Sequence, residues 1–416
     1  MPATKLPAES GAGWAVLWFI AWVVTLSLPF HGLIASEGPL PLRMPGRVRL
    51  VLPPVIHAVA GMETNVYYDN VVLVLDPRDY AFEVGCKKGL QMDERWTYMP
   101  GAKDAGDYPF ELVVRDESNA VVARAQSVVR VVPADRPIRN PLTVLLVGAS
   151  LTEYSVYPQF LLDLDAADPA LELKLIGSRG GKDGITPGPL RHEGYSGWTA
   201  EAFCTLTGPL ARAGVFKRPD TGSPFLYLDP GESQPRFDFA RYCAEFNGGQ
   251  GPDVITIHLI VNDVFRENDE TIEARIDKMI GYFDTMVAGF HRVRADTRVG
   301  VVLTEPSSRS QDGFRNYNRE GVRQTRWQVR RNMHRAWERL IEHYGEGKSG
   351  VTLVPSYVNF DAERGFPTYV APAHARSSEK LTRVNNGVHP SEDGYRQYAD
   401  SIYRWLKATT PVAGGN

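Results

Sequence analysis

Two side chains in this sequence have the types and settings of a nucleophile and its base. Ser150 follows an apolar run that breaks at Gly148, within Thr143-Val-Leu-Leu-Val-Gly-Ala-Ser-Leu-Thr-Glu153. A strand that ends in Gly-x-Ser places a hydroxyl at the carboxyl edge of a parallel sheet, where open α/β folds gather their chemistry. The same serine could simply cap the helix that follows. A serine nucleophile needs a base to take its proton, and His389 is the best placed histidine, within Asn385-Asn-Gly-Val-His-Pro-Ser-Glu-Asp-Gly394. Pro390 and Ser391 read as the start of a final helix, which would hold His389 in a short loop at that helix's amino terminus.

The elements that must position these groups follow from periodicity. After about residue 142 the pattern is strand then helix, with apolar strands at residues 142–147, 171–176, 254–261, 298–304 and 351–355. Between and after them run amphipathic helical periods. Ile272, Ile276, Met279, Ile280, Phe283, Val287 and Phe290 share one face; Met333, Trp337, Leu340, Ile341 and Tyr344 share another; Tyr395, Tyr398, Ala399, Ile402 and Leu406 share a third. Near-continuous apolar strands alternating with such helices predict a parallel sheet covered on both faces. The expected fold of residues 142–410 is therefore a three-layer α/β/α sandwich with a five-stranded, flavodoxin-like parallel sheet. Residues 205–253 and 307–324 exceed ordinary loop lengths and are expected over the active edge.

Residues 45–133 read differently, as short β-branched runs separated by turn signals with no helical period, which predicts a small all-β sandwich of immunoglobulin-like type. Trp96 and Tyr98 there could stack on sugar or form core. Residues 134–141, with Pro133, Pro137 and Pro141 in or beside them, read as a linker. Residues 1–36 form a leader: Trp14 to Leu28 is apolar apart from Thr25 and Ser27, and small residues follow near Ser36. This fits the core of a secretion signal, implying a secreted or periplasmic protein, or an uncleaved anchor that holds the chain at a membrane facing outward.

With 416 residues, 43% hydrophobic and 23% charged, the composition is that of a globular protein, and a net charge of -3 argues against nucleic acid as the partner. Cys86, Cys204 and Cys243 lack metal-ligand spacing. Cys204 and Cys243 could pair in an exported chain, or all three could be buried thiols. No cofactor or metal motif appears.

Four short blocks, in order and spacing, resemble the motif blocks of the SGNH (GDSL) hydrolases, in particular their carbohydrate-esterase branch. They are Gly148-Ala-Ser-Leu-Thr152, Gly194-Tyr-Ser-Gly-Trp198, Val261-Asn-Asp263 and Gly387-Val-His-Pro390. The resemblance spans residues 142–408. It implies Ser150 as nucleophile and His389 as base, with the Ser150 N–H, the Gly197 N–H and the Asn262 amide as an oxyanion hole. Such donors suit a tetrahedral intermediate, Gly197 by admitting close backbone approach and Asn262 by offering an uncharged N–H.

Three residues depart from the family pattern. Ala149 stands where the name-giving motif has Asp, and Ile260 where the third block usually has Gly. Asn386 stands where the family places the Asp that orients the base. Asn386 could accept the imidazole Nδ1–H through its carbonyl oxygen, or a main-chain carbonyl could serve instead, giving a dyad of Ser150 and His389 supported by Asn386 or the backbone.

Other features are softer. Arg309, Arg315, Arg319, Arg323, Arg326, Arg330 and Arg331 crowd the second insertion among Phe314, Tyr317 and Trp327, as a surface for an acidic polysaccharide or as a solvated helix face with Glu320 and Glu338 as partners. His192 and Glu193 could line the pocket or serve only the loop. The expected activity is an exported esterase acting on acetyl or other short acyl esters of carbohydrate, or on another small ester. The alternatives are a lipase or thioesterase of the same family, and a polysaccharide-binding protein on a hydrolase scaffold that has lost catalysis. Against a lipase, Pro219, Pro224, Pro230 and Pro235 disfavour a long lid helix in the first insertion.

Overall fold

A computed structural model describes residues 48–139, 141–180, 188–208, 221–319, 322–345, 347 and 350–413. Residues 1–36, expected to be a leader, lie outside the described residues. Among those described, no helix is long and apolar enough to cross a membrane.

The five strands expected of the parallel sheet are all present: β1 (Leu142–Gly148), β2 (Leu173–Ile176), β3 (Val254–His258), β4 (Arg298–Val302) and β5 (Val351–Val354). They pair in parallel in the order β2-β1-β3-β4-β5. A sixth, two-residue strand, Glu193–Gly194, adds to the end of β1. In this order the chain reverses direction across the sheet between β1 and β3, so a crevice opens beyond their carboxyl ends.

The layers follow from strand periodicity. Leu142, Val144 and Leu146 of β1 share a cluster with Tyr157 and Leu161 of α1 (Val156–Ala167) and with Tyr398, Ile402 and Leu406 of the last helix. The alternate residues Leu145, Val147, Ile255, Ile257, Val299 and Val301 are fully buried on the opposite face. Right-handed crossovers assign that face to α2 (Ile272–Val293) and α3 (Arg326–Tyr344). Arg335 and Arg339 of α3 tie these two helices together through Glu273 of α2. The last helix, α4 (Glu392–Thr409), buries Tyr395, Tyr398, Ala399, Ile402 and Leu406 as its period required, and Ser391 caps it by accepting from the Gly394 N–H.

The preceding segment is all-β apart from single helical turns. One sheet orders Val55–Val59, Val121–Val132, Gly106–Arg115 and Ala81–Gly85, with the first pair parallel and the rest antiparallel. A second joins Thr64–Tyr67, Arg95–Tyr98 and Leu90–Gln91. Trp96 meets Phe110 edge to face at 5.2 Å, so the two sheets touch through their apolar faces. Trp96 and Tyr98 are buried, so they are core and form no sugar-stacking face. Among the β-branched runs, Tyr68–Val71 makes a helical turn before the short strand Val72–Leu73.

The described residues form one compact unit. Val59, Val132 and Ile138 belong to the same apolar cluster as Tyr398 and Ile402. The Asn70 amide donates to the carbonyls of Tyr357 and Phe360, and the buried Arg330 reaches Asp69. All three cysteines are free, so the pairing of Cys204 with Cys243 does not form.

Candidate active site

The loop that carries Ser150 is shaped by close packing at the end of β1. A Cβ on Gly148 would lie 2.0 Å from the Thr152 hydroxyl and 3.0 Å from the His258 carbonyl, so only glycine fits. Ser150 then opens a single helical turn, Ser150–Glu153. Its Oγ lies 2.8 Å from His389 Nε2, across 239 residues of sequence. The Tyr154 ring packs on His389 with centroids 5.1 Å apart. Burial lowers the His389 pKa below its ordinary value, so the imidazole is neutral at neutral pH.

The third position differs from expectation. Asn386 Oδ1 accepts from the backbone N–H groups of Val388 (2.9 Å) and His389 (3.0 Å). Those two donors set the orientation of the amide, which leaves Nδ2 facing His389 Nδ1 at 3.1 Å. Asn386 therefore donates to Nδ1 and does not accept from it. A neutral imidazole in this setting carries its proton on Nε2 and donates to Ser150 Oγ, the reverse of what a general base needs. No main-chain carbonyl takes the alternative role among the described residues.

The other two blocks are tied to this loop by backbone bonds. Tyr195 N–H donates to Gly148 O at 3.0 Å, and Ala149 N–H to His258 O at 3.4 Å. Gly197 has φ 72°, a left-handed conformation that favours glycine. The Ser150 and Gly197 N–H groups donate to no partner among the described residues. One Asn262 Nδ2 hydrogen goes to Trp198 O at 3.0 Å, leaving the other available. Asp263 accepts from Ala200 N–H at 3.2 Å, and burial pushes its carboxyl up to about 7.

All four blocks converge at the carboxyl edge of the sheet. The α/β domain has an SGNH (GDSL) esterase-like fold. No family model matches this chain, and no curated protein matches it. Solved structures similar to it include an acetyl esterase mutant with acetate ion (18% identity, TM-score 0.36, 64% of this chain and 96% of that one). A carbohydrate esterase family 3 structure from Talaromyces cellulolyticus is similar at 17% identity and TM-score 0.36, over 64% of this chain and 96% of that one. A GDSL-like lipase from Parabacteroides merdae is similar at 15% identity and TM-score 0.33, over 65% of this chain and 97% of that one.

In this SGNH-like domain, Ile260 occupies its glycine-like position at a cost. It sits at φ 75°, ψ -63°, with Val261 N–H donating to Leu259 O at 2.9 Å, a γ-turn of the strained hand. A β-branched residue there is held by its full burial. The turn aims Asn262 back toward Trp198. Asn262→Ala is expected to lower kcat on an activated acetate ester about a hundredfold with little change in KM, as loss of one oxyanion donor does. Steady-state kinetics check this.

Three residues carry more of the SGNH-like site than the sequence suggested. Glu153 accepts from Ser196 N–H at 2.7 Å and from the Ser196 hydroxyl, and it pairs with Arg179, so it fixes the residue before Gly197. Its partner lies 43 residues away, and no local pattern announces it. His192 and Glu193 are both fully buried. His192 accepts from Gly194 N–H at Nδ1 and lies 2.8 Å from the Ser155 hydroxyl, and burial pushes it down to about 3, so it stays neutral. Glu193 is fully buried, receives the hydroxyls of Tyr195 and Tyr242, and is pushed up by that burial.

Both insertions abut the site. Tyr242 comes from the first. From the second, Ser308 N–H donates to Gly387 O, and Gly313 O accepts from Gly387 N–H. The arginines of the second insertion are dispersed into separate contacts. Arg309 and Arg330 pair with Asp69, Arg331 with Asp269, and Arg315 donates to Asn385 Oδ1. The Arg319 and Arg323 side chains, and Glu320, lie outside the described residues, while Glu338 pairs with Arg49 and Arg335. Among the described residues, no group of three or more His, Cys, Asp or Glu side chains is arranged to hold a metal ion.

Proposed function

We propose that this protein is an exported serine esterase that removes acetyl or other short acyl groups from carbohydrate. The observation that carries the reading is the 2.8 Å contact between Ser150 Oγ and His389 Nε2 beside unpartnered N–H donors. In the reaction, Ser150 Oγ attacks the acyl carbon while its proton passes to Nε2 of the less favoured His389 tautomer, the one whose own proton sits on Nδ1. The carbonyl oxygen becomes an oxyanion facing the N–H groups of Ser150, Gly197 and Asn262. Collapse expels the sugar alkoxide, which takes the proton from Nε2, and leaves an acyl-serine. Water then repeats the sequence, releasing the acid and restoring Ser150. The all-β segment serves as an immunoglobulin-like accessory to this domain.

Asn386 favours a second reading, a carbohydrate-binding protein on a hydrolase scaffold, because it stabilises the unproductive imidazole tautomer. One assay separates the readings. Acid release is measured on esters of increasing acyl length, together with acetylated oligosaccharides. Release that is highest for acetyl and falls with chain length supports the esterase. A preference for long chains supports a lipase, and no release from any activated ester leaves only the binding protein.

A further inference from the structure

A cleft of about 810 Å³ opens where the all-β segment meets the loops that hold the catalytic histidine, and it does not contain Ser150. One wall is supplied by Tyr68, Tyr80, Phe82 and Asp93, the other by Arg309, Asp312, Arg326 and Val384. Its size and mixed lining are those of a ligand site. Tyr68 and Phe82 stack at 4.6 Å, and the half-buried Tyr80 and Phe82 rest on the small core of Val72, Val74 and Val114. The aromatic wall is therefore rigid.

The polar groups are fixed in the same way. Arg309 is held between Asp69 (3.0 Å) and Glu363 (3.4 Å), and Arg383 pairs with Asp312 at 3.0 Å. Paired guanidinium and carboxylate groups keep further donors and acceptors beyond those the pair uses. Two groups have no partner among the described residues, the exposed Asp93 carboxylate and the Arg326 guanidinium.

Charge decides the ligand class. The lining holds six carboxylates against four guanidinium groups, so a polyanion is disfavoured. Rigid aromatic faces with fixed, nearly balanced donors and acceptors suit a chain of uncharged, polyhydroxylated rings. The cleft also lies near the chemistry. Val384 lines it, and His389 follows five residues later, within about 17 Å of extended chain. The loop bearing Ser308 and Gly313, bonded to Gly387, forms part of the same wall through Ser310 and Asp312.

We propose that this cleft is a subsite for a neutral oligosaccharide, holding unacylated rings of the chain whose acylated ring reaches Ser150. The inference rests on the esterase reading for its role and on the cleft for its ligand, so two measurements separate them. Calorimetry on the full chain carrying Ser150→Ala tests binding of xylotetraose, cellotetraose and mannotetraose, with an alginate oligomer as the polyanion control. At least one neutral tetramer is expected to bind, alginate is not, and Tyr80→Ala, Asp93→Ala or Arg326→Ala each weakens binding about tenfold. Asp93 is exposed and unpaired, so its variant keeps the fold even if Tyr80→Ala does not.

In the Ser150 enzyme the same three variants are expected to raise KM for the acetylated tetramer about tenfold. Both kcat and turnover of p-nitrophenyl acetate should stay unchanged. Absence of binding by all three neutral tetramers, preference for alginate, or tetramer binding indifferent to Asp93→Ala and Arg326→Ala would each overturn the subsite. A protein that binds the tetramer through these residues yet hydrolyses no ester would sink the esterase reading and leave the subsite standing.

Discussion

Asn386→Asp is expected to raise kcat on an activated acetate ester by about a thousandfold, roughly 4 kcal/mol of barrier. In a trypsin-like protease the opposite change, from Asp to Asn, costs about ten-thousandfold, because the amide selects the wrong histidine tautomer. The same fault is visible here in full. Asn386 Oδ1 is occupied by the N–H groups of Val388 and His389, so its Nδ2 must face Nδ1. An aspartate would keep both backbone bonds with one oxygen and accept the Nδ1–H with the other. The proton then moves off Nε2, which becomes free to receive the one from Ser150.

The pH profile supplies a readout that packing alone would not move. His389 must be neutral to act as a base, and burial already lowers its pKa from the ordinary 6.5. The acid limb of kcat/KM in the natural chain should therefore lie below that value, with activity retained as pH rises. A carboxylate at position 386 stabilises the imidazolium, raises the His389 pKa and shifts the acid limb upward. An Asn386→Asp protein with unchanged rate and an unshifted limb would show that His389 does not act as the base.

Ser150→Ala is expected to lower kcat about a thousandfold in the natural chain and about a millionfold in the Asn386→Asp background. The nucleophile and base of a serine hydrolase act as a unit, and removing either costs about a millionfold when the unit is intact. With Asn386 holding the unproductive tautomer, roughly half of that advantage on a logarithmic scale is already forgone, so less remains to lose. For the same reason His389→Ala added to Ser150→Ala should change nothing further. Acetate release by purified single and double variants tests the pattern. Additive losses would mean that Ser150 and His389 work separately, despite the 2.8 Å between them.

The strands and helices that carry the site were legible because their signals are local. The strand β1 reads as an unbroken apolar run because both of its faces are covered, and α4 reads as a helix because Tyr395, Tyr398, Ala399, Ile402 and Leu406 recur at its period. Ends were less legible. The third strand was expected to reach Val261 but stops at His258, because Leu259 and Ile260 enter the γ-turn that presents Asn262. Nothing in a run of apolar residues marks that turn, since Ile260 holds a conformation its side chain disfavours.

What the sequence by itself determined is the order of the elements and the identity of the groups that converge: Ser150, Gly197, Asn262 and His389, each at a turn following or preceding a strongly periodic element. What only the tertiary structure decided is how their neighbours are oriented. The face that Asn386 turns to His389 depends on two backbone donors in its own loop, and the grip of Glu153 on Ser196 depends on packing across 43 residues. The cleft lies between segments more than 200 residues apart. Periodicity records which side of an element is apolar, whereas hydrogen-bond direction and cavity shape exist only once distant segments have packed.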